Sequence, residues 1–272
     1  MDKRLLIYKD SSESFAGMND IVKNFSENPY FAGPCSLEDE EMLRACAKIL
    51  KREHIPVLRA GVFKPRTSPY DFQGIGEQGL KILKNVADEY DLKTVSEIMR
   101  PDDIEKMIPY VDILQVGSRN MQNFELLKEL GKLDMPVLLK RGLCSTIKEF
   151  SYAAEYIAVG GNRKIILCER GIRSFDTITR NLFDPACIIL LRKMTQLPII
   201  ADISHALGRK DILNEMGRVA LASGANGIMV EMHPNPPMAL SDQEQQLTFD
   251  EFKDFITDNR KYALLTTNMK SV

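Results

Sequence analysis

From Tyr30 onward the chain alternates short, continuous apolar runs with longer segments in which apolar residues recur every three or four positions. The continuous runs are Tyr30–Gly33, Val57–Ala60, Lys93–Ser96, Ile113–Val116, Val137–Lys140, Ile165–Cys168, Ile199–Asp202 and Gly227–Glu231. Runs this short and this unbroken predict parallel strands buried on both faces. Between them, Leu43, Cys46, Ala47 and Leu50 keep helical spacing, as do Gly79, Ile82, Leu83 and Val86. Ser36 is the expected cap of the first of these helices, with Glu38, Asp39 and Glu40 in its opening turn. Pro56, Pro136 and Pro198 each stand just ahead of a strand, where a missing N–H breaks no ladder. Phe249, Phe252, Phe255 and Ile256 give a last amphipathic helix.

Eight strands alternating with eight helices predict an α/β protein made of a single (β/α)8 TIM barrel, residues 29–272, behind a short N-terminal leader, residues 1–28. RLLIY, residues 4–8, is the expected extra strand across the barrel bottom. An open doubly wound sheet is the alternative. It is weaker, because no GxGxxG loop follows the first strand and polar residues sit at almost every strand end.

Composition narrows the function classes. A length of 272 residues suits one large domain, and 44% hydrophobic with 27% charged residues is ordinary for a globular chain. The net charge of −2 argues against a nucleic-acid partner. No apolar run approaches the roughly 20 residues of a membrane helix, and the first residues lack a signal-peptide pattern. Five cysteines without a CxxC pair favour a reducing, cytoplasmic setting.

The polar strand ends carry the chemistry. Cys35, His205, Glu231 and Asp242 all fall at or just beyond strand C-termini, the active face of a barrel. One thiolate, one imidazole and two carboxylates suit manganese, iron, cobalt or zinc. Each residue alone has a blander reading, a lone cysteine being most often a small buried hydrophobe; His233 is read as such a satisfied polar neighbour. Arg59, Lys64, Arg66, Arg119, Lys140, Arg141 and Arg170 also follow strands directly. Seven cations converging at one end of a barrel repel one another unless anions compensate, and their two groups suggest two anionic substrates.

The strings AGPCS, RAGVFKPRTSPYDFQG, QVGSRNMQN, KRG, ERG, SHALG and EMHPNPPMALSDQEQQL resemble 3-deoxy-D-arabino-heptulosonate 7-phosphate (DAHP) synthase, in the shorter class related to 3-deoxy-octulosonate 8-phosphate (KDO8P) synthase. The resemblance runs in order from about Tyr30 to Ile256. It implies condensation of phosphoenolpyruvate with erythrose 4-phosphate, the first step of the shikimate pathway to chorismate and the aromatic amino acids. It also implies metal ligation by Cys35, His205, Glu231 and Asp242, with manganese first and iron, cobalt, zinc or cadmium as alternatives. Arg59, Lys64 and Lys140 would face the phosphoenolpyruvate carboxylate and reacting carbon. Arg119 and Arg170 would grip its phosphate, helped by the backbone near Ser118. Pro65, Arg66 and Thr67 would meet erythrose 4-phosphate, and Glu97 would orient a cation or a water. Lys64, beside the ligands Cys35 and His205, is the implied proton donor to the developing alkoxide, with a metal-bound water as the alternative.

Ile203 stands where the resemblance leads one to expect proline, and Ala201 where a β-branched residue is common, so altered packing is expected there. The family favours homodimers and homotetramers. About 28 residues ahead of the barrel are too few for a regulatory domain, so no inhibition by aromatic amino acids through a domain of its own is expected. Cys35, read as an exposed thiolate, is expected to be oxidised readily without metal. The rivals are KDO8P synthase, whose acceptor loop resembles KANRSS rather than KPRTS, and a non-catalytic barrel that binds phosphorylated metabolites. A class II metal aldolase would need more histidine than the three present.

Overall fold

The structure is a computed structural model that describes residues 5–269, with side chains to residue 262. Its frame is a closed ring of eight parallel strands in chain order: β1 (Tyr30–Gly33), β2 (Val57–Arg59), β3 (Lys93–Ile98), β4 (Ile113–Val116), β5 (Val137–Lys140), β6 (Ile165–Glu169), β7 (Ile199–Asp202) and β8 (Gly227–Glu231). The ring shuts by pairing β1 with β8, with Gly33 opposite Glu231. After a short α1 (Met18–Ile21), the helices are α2 (Glu40–Arg52), α3 (Glu77–Tyr90), α4 (Ile104–Met107), α5 (Phe124–Gly131), α6 (Ile147–Val159), α7 (Pro185–Met194), α8 (Ile203–Leu207), α9 (Leu213–Ala222) and α10 (Phe249–Met269). The predicted (β/α)8 barrel is the observed fold, with strand boundaries displaced by two residues at most.

The helix periodicity translates into burial. Leu43, Cys46, Ala47 and Leu50 of α2 are fully buried, and so are Leu83 and Val86 of α3, while Ile82 is half-buried. Fully burying one such side chain stabilises by about 1.5–3 kcal/mol. The cap of α2, however, is Asp39, whose carboxylate accepts from Met42 N at 2.7 Å. Ser36 instead bonds Ser241 at 2.7 Å and ties the β1–α2 loop to the β8–α10 loop.

The barrel bottom also differs from expectation. Residues 5–8 form no strand beyond a single bridge between Tyr8 and Thr195, and Leu6 N donates to Glu155 of α6. The interior is closed from below by Met18, Val22 and Phe25, which join the buried cluster of inward strand residues. Phe25 reaches the start of β8: a Cβ on Gly227 would lie 2.7 Å from its ring.

Inside the barrel a single alternation organises everything above that plug. Phe31, Val57, Val95, Ile113, Leu138, Ile166, Ile200 and Met229 form an apolar layer. Two residues further along the same strands, on the same face, stand Gly33, Arg59, Glu97, Gln115, Lys140, Cys168, Asp202 and Glu231. The interior thus turns from hydrocarbon to charge within one pleat repeat, and that second layer is the floor of the functional site. Gly33 is dictated by the crowding: a Cβ there would sit 2.2 Å from Arg59 O, on a backbone with φ +146°.

Candidate active site

Above the charged layer lies a cavity of about 320 Å³ at the C-terminal ends of the strands. Its walls contain Arg59, Lys64, Pro65, Arg66, Thr67, Glu97, Ser118, Arg119, Lys140 and Arg170, together with His205 and Asp242. Cys35 and Glu231 lie beneath, both fully buried. A wider cleft of about 810 Å³ continues outward past Arg66, Arg180 and Asp242. Arg141 does not join the cations that line the cavity. Its guanidinium turns outward to Asp184 (2.8 Å), Glu169 (3.5 Å) and Ser145 O (3.1 Å), bracing the loop after β6. Glu169 completes that brace by accepting from Gly171 N and Asp184 N.

Sequence reasoning passed over Arg173, Arg180, Asn181 and Asp71, which also line the cavity. None of them stands beside a strand end. The repeated Arg in GIRSFDTITRN is the signal that was available.

Four donor atoms of Cys35, His205, Glu231 and Asp242 lie within 4.8 Å of one another. His205 Nε2 is 3.4 Å from Glu231 Oε1 and 3.7 Å from Asp242 Oδ2, and Cys35 Sγ is 3.2 Å from Asp242 Oδ2. Burial pushes His205 down to about 4, against the pull of Asp202 and Glu231, so its ring is neutral near pH 7 and Nε2 offers a lone pair. Asp202 Oδ2 lies 2.8 Å from the other ring nitrogen, an electrostatic contact that lacks the alignment of a good hydrogen bond. Two carboxylates, a thiol and a neutral imidazole converging out of water form a donor set that fits a divalent cation of borderline softness.

Cys35 departs from the exposed thiolate of expectation. It has no exposed surface, and burial, reinforced by Glu231, pushes its thiol up to about 11. A buried neutral thiol is a poor target for oxidants, so ready oxidation of the metal-free chain loses its basis.

The surrounding charges are paired across strands. Arg59 contacts Glu231 and donates to Cys35 O at 3.2 Å. Lys64 Nζ sits 3.0 Å from Cys35 Sγ and 3.1 Å from Cys35 O. Lys140 Nζ bonds Asp202 Oδ2 at 2.5 Å, while Asp202 Oδ1 caps α8 by accepting from His205 N at 3.1 Å. Although burial opposes it, His205 and Lys140 hold the Asp202 carboxyl well below its usual range. Ile203, the first residue of α8, is fully buried, and the first helical position is where proline fits best.

Just past β6, between the strands that end in Lys140 and Asp202, Arg170 is 5% exposed and its Nη1 has no hydrogen-bond partner among the described residues. Arg119 donates to Thr67 Oγ1 at 3.3 Å. Ser118 opens a single 3-10 turn after β4. Glu97 is bonded by Gln115 at 3.2 Å and lies against Gly117, where a Cβ would fall 1.9 Å from Oε1.

Residues 22–267 match the DAHP synthetase I family. The chain belongs to that family. Among its relatives is a phospho-2-dehydro-3-deoxyheptonate aldolase of Thermotoga maritima, 51% identical over 239 residues, which are 87% of this chain and 71% of the relative. A crystal structure of that DAHP synthase superposes with a TM-score of 0.90 at 45% identity, over 98% of this chain and 78% of the other. A truncated form of the Thermotoga enzyme gives 0.85 at 43%, over 96% and 97%. A 2-dehydro-3-deoxyphosphooctonate aldolase of Acidithiobacillus ferrooxidans is more distant, 26% identical over 250 residues, or 85% of this chain and 88% of the relative. The barrel is the fold this chain shares with those solved relatives. No helix among the described residues is long and apolar enough to cross a membrane.

Proposed function

We propose that the chain is a 3-deoxy-7-phosphoheptulonate synthase, joining phosphoenolpyruvate, erythrose 4-phosphate and water into DAHP and phosphate. The observation that carries this reading is the buried Arg170 guanidinium, its Nη1 without a partner among the described residues, lining one cavity with Arg59, Lys140 and Arg119, with a metal-type donor cluster in its floor. A small molecule that carries both a carboxylate and a phosphate suits several cations gathered around one cavity.

In this reading Arg59 and Lys140 bind the carboxylate, and Arg170 and Arg119 take the phosphate. Pro65, Arg66 and Thr67 shape the approach from the outer cleft, where the phosphate of the aldehyde substrate is received. C3 of the enol phosphate attacks the aldehyde carbon, and Lys64 gives a proton to the oxygen that becomes an alkoxide. Glu97 orients the water that adds to C2, after which the phosphate departs with its C–O bond. Cys35, His205, Glu231 and Asp242 hold a divalent ion, manganese being our first assignment, which when bound supplies Lewis-acid polarisation of the aldehyde. We place the enzyme in the cytoplasm as a homodimer or homotetramer.

The test is phosphoenolpyruvate consumption with erythrose 4-phosphate or arabinose 5-phosphate, each with and without EDTA. Turnover of the four-carbon sugar, abolished by EDTA and restored by manganese, is expected. Preference for arabinose 5-phosphate assigns the octulosonate reaction instead. Inactivity with both refutes the catalytic reading.

A further inference from the structure

The string QEQQL after Asp242 contributes a residue that none of the roles above uses. Gln245 is 2% exposed and sits directly behind the donor cluster. Its Nε2 donates to Glu231 Oε2 at 2.6 Å and to Asp242 Oδ2 at 3.3 Å, while its Oε1 accepts from Arg180 Nη1 at 3.1 Å. The amide can face only one way. Turned over, its oxygen would meet two carboxylates and its NH2 a guanidinium.

We propose that Gln245 is a positioning residue for the metal: one amide orients both carboxylate ligands and anchors them to Arg180 in the cavity wall. This rests on the metal reading of the cluster. Two further observations support it. Asp242 has a left-handed backbone, φ 48°, unusual for a residue with a side chain. The turn that holds it there is closed by Gln245 N donating to Asp242 O at 3.4 Å. The adjacent Gln246 acts on the other side of the cluster, accepting from Cys35 N at 3.0 Å and donating to Ser241 O at 2.9 Å. The amide thus adds a neutral donor to carboxylates that cations already hold, Glu231 Oε1 being contacted by Arg59 and Asp242 Oδ1 lying 3.4 Å from Arg180. A lysine in place of Gln245 would compete with the metal for the same charge; an amide orients without competing.

Gln245→Met keeps the volume and removes all three side-chain bonds. On the full-length chain, stripped with EDTA and desalted, calorimetric titration with manganese should show a dissociation constant raised about 10–100-fold, the usual cost of losing a residue behind a metal ligand. The visible spectrum of the cobalt-loaded variant should shift, because the carboxylates no longer hold one geometry. Urea unfolding separates this from a merely structural role, which would lower stability and leave the metal affinity and spectrum unchanged. If Gln245→Met does not fold, Gln245→Asn draws the amide back by one methylene and should weaken manganese in the same direction. Affinity within about threefold of the unaltered chain, with an unchanged cobalt spectrum, overturns the proposal. Failure of the unaltered chain to bind manganese overturns the metal reading, and this one with it.

Discussion

Replacing Arg170 by Met should strengthen the ligand-free protein and weaken its grip on phosphoenolpyruvate. The guanidinium is almost fully buried, and burial lowers its hold on the proton despite the field of Asp202. Its Nη1 finds no acceptor among the described residues. A buried donor without a partner costs about 1–3 kcal/mol, so a methionine of similar length should return about that much in urea unfolding without ligand. A phosphate facing the same group gains charge-assisted hydrogen bonds of about 1.5–3 kcal/mol each. Loss of one such bond therefore weakens phosphoenolpyruvate by about 10-fold to a little over 100-fold, at roughly 1.4 kcal/mol per tenfold. Calorimetry with phosphoenolpyruvate in EDTA measures this apart from the metal. A variant that is destabilised by more than about 1 kcal/mol, yet binds phosphoenolpyruvate as tightly as the unaltered chain, would refute the reasoning.

Three further outcomes are expected. Gly117→Ala places a methyl against Glu97 Oε1 and should cut kcat/KM about 10–100-fold, a typical result of displacing a positioned group by an ångström, with little change in Tm. Arg141→Met leaves fully buried Glu169 without its cation and should cost about 3 kcal/mol in urea unfolding at pH 7; because burial already raises the Glu169 pKa, the loss should shrink in acid as the carboxyl takes a proton. His205 binds its proton near 6.5 when unfolded but only near 4 when folded, so between those values the unfolded state holds more protons. Stability of the metal-free chain should then fall as pH drops from 6.5 to 4, by on the order of 3 kcal/mol in total, and the slope should flatten in His205→Asn.

The barrel was legible because parallel strands buried on both faces leave an unbroken apolar signature, and five of the eight stop at a charged residue, Arg59, Lys140, Glu169, Asp202 and Glu231, which the ring then gathers. What escaped was whatever depends on a partner far along the chain. Arg141 and Arg170 both follow strands, yet one faces an internal carboxylate pair and the other the cavity; only packing distinguishes them. Asp202 reads as an ordinary strand end until Lys140 and His205 are seen to share it. Asp39 outcompetes Ser36 as a helix cap because the chain between them is spent crossing to Gly61 and Ser241. The bottom plug went to Met18, Val22 and Phe25 rather than to residues 5–8, the described part of RLLIY, since wide apolar spacing in a polar leader carries no periodic signal.

Cys35 follows the first strand, Glu231 ends the last, and these two strands are neighbours only because the ring closes. The donor cluster therefore straddles the seam of the barrel. Until those two strands meet, the four donors are not together, and the pairing joins residues about 200 apart, the widest sequence separation of any strand pairing in the ring. An ion bound there acts as a clasp, stabilising the one strand pairing that local contacts cannot nucleate. Metal uptake should thus report completion of the circle, and in refolding it should coincide with the last event rather than precede it.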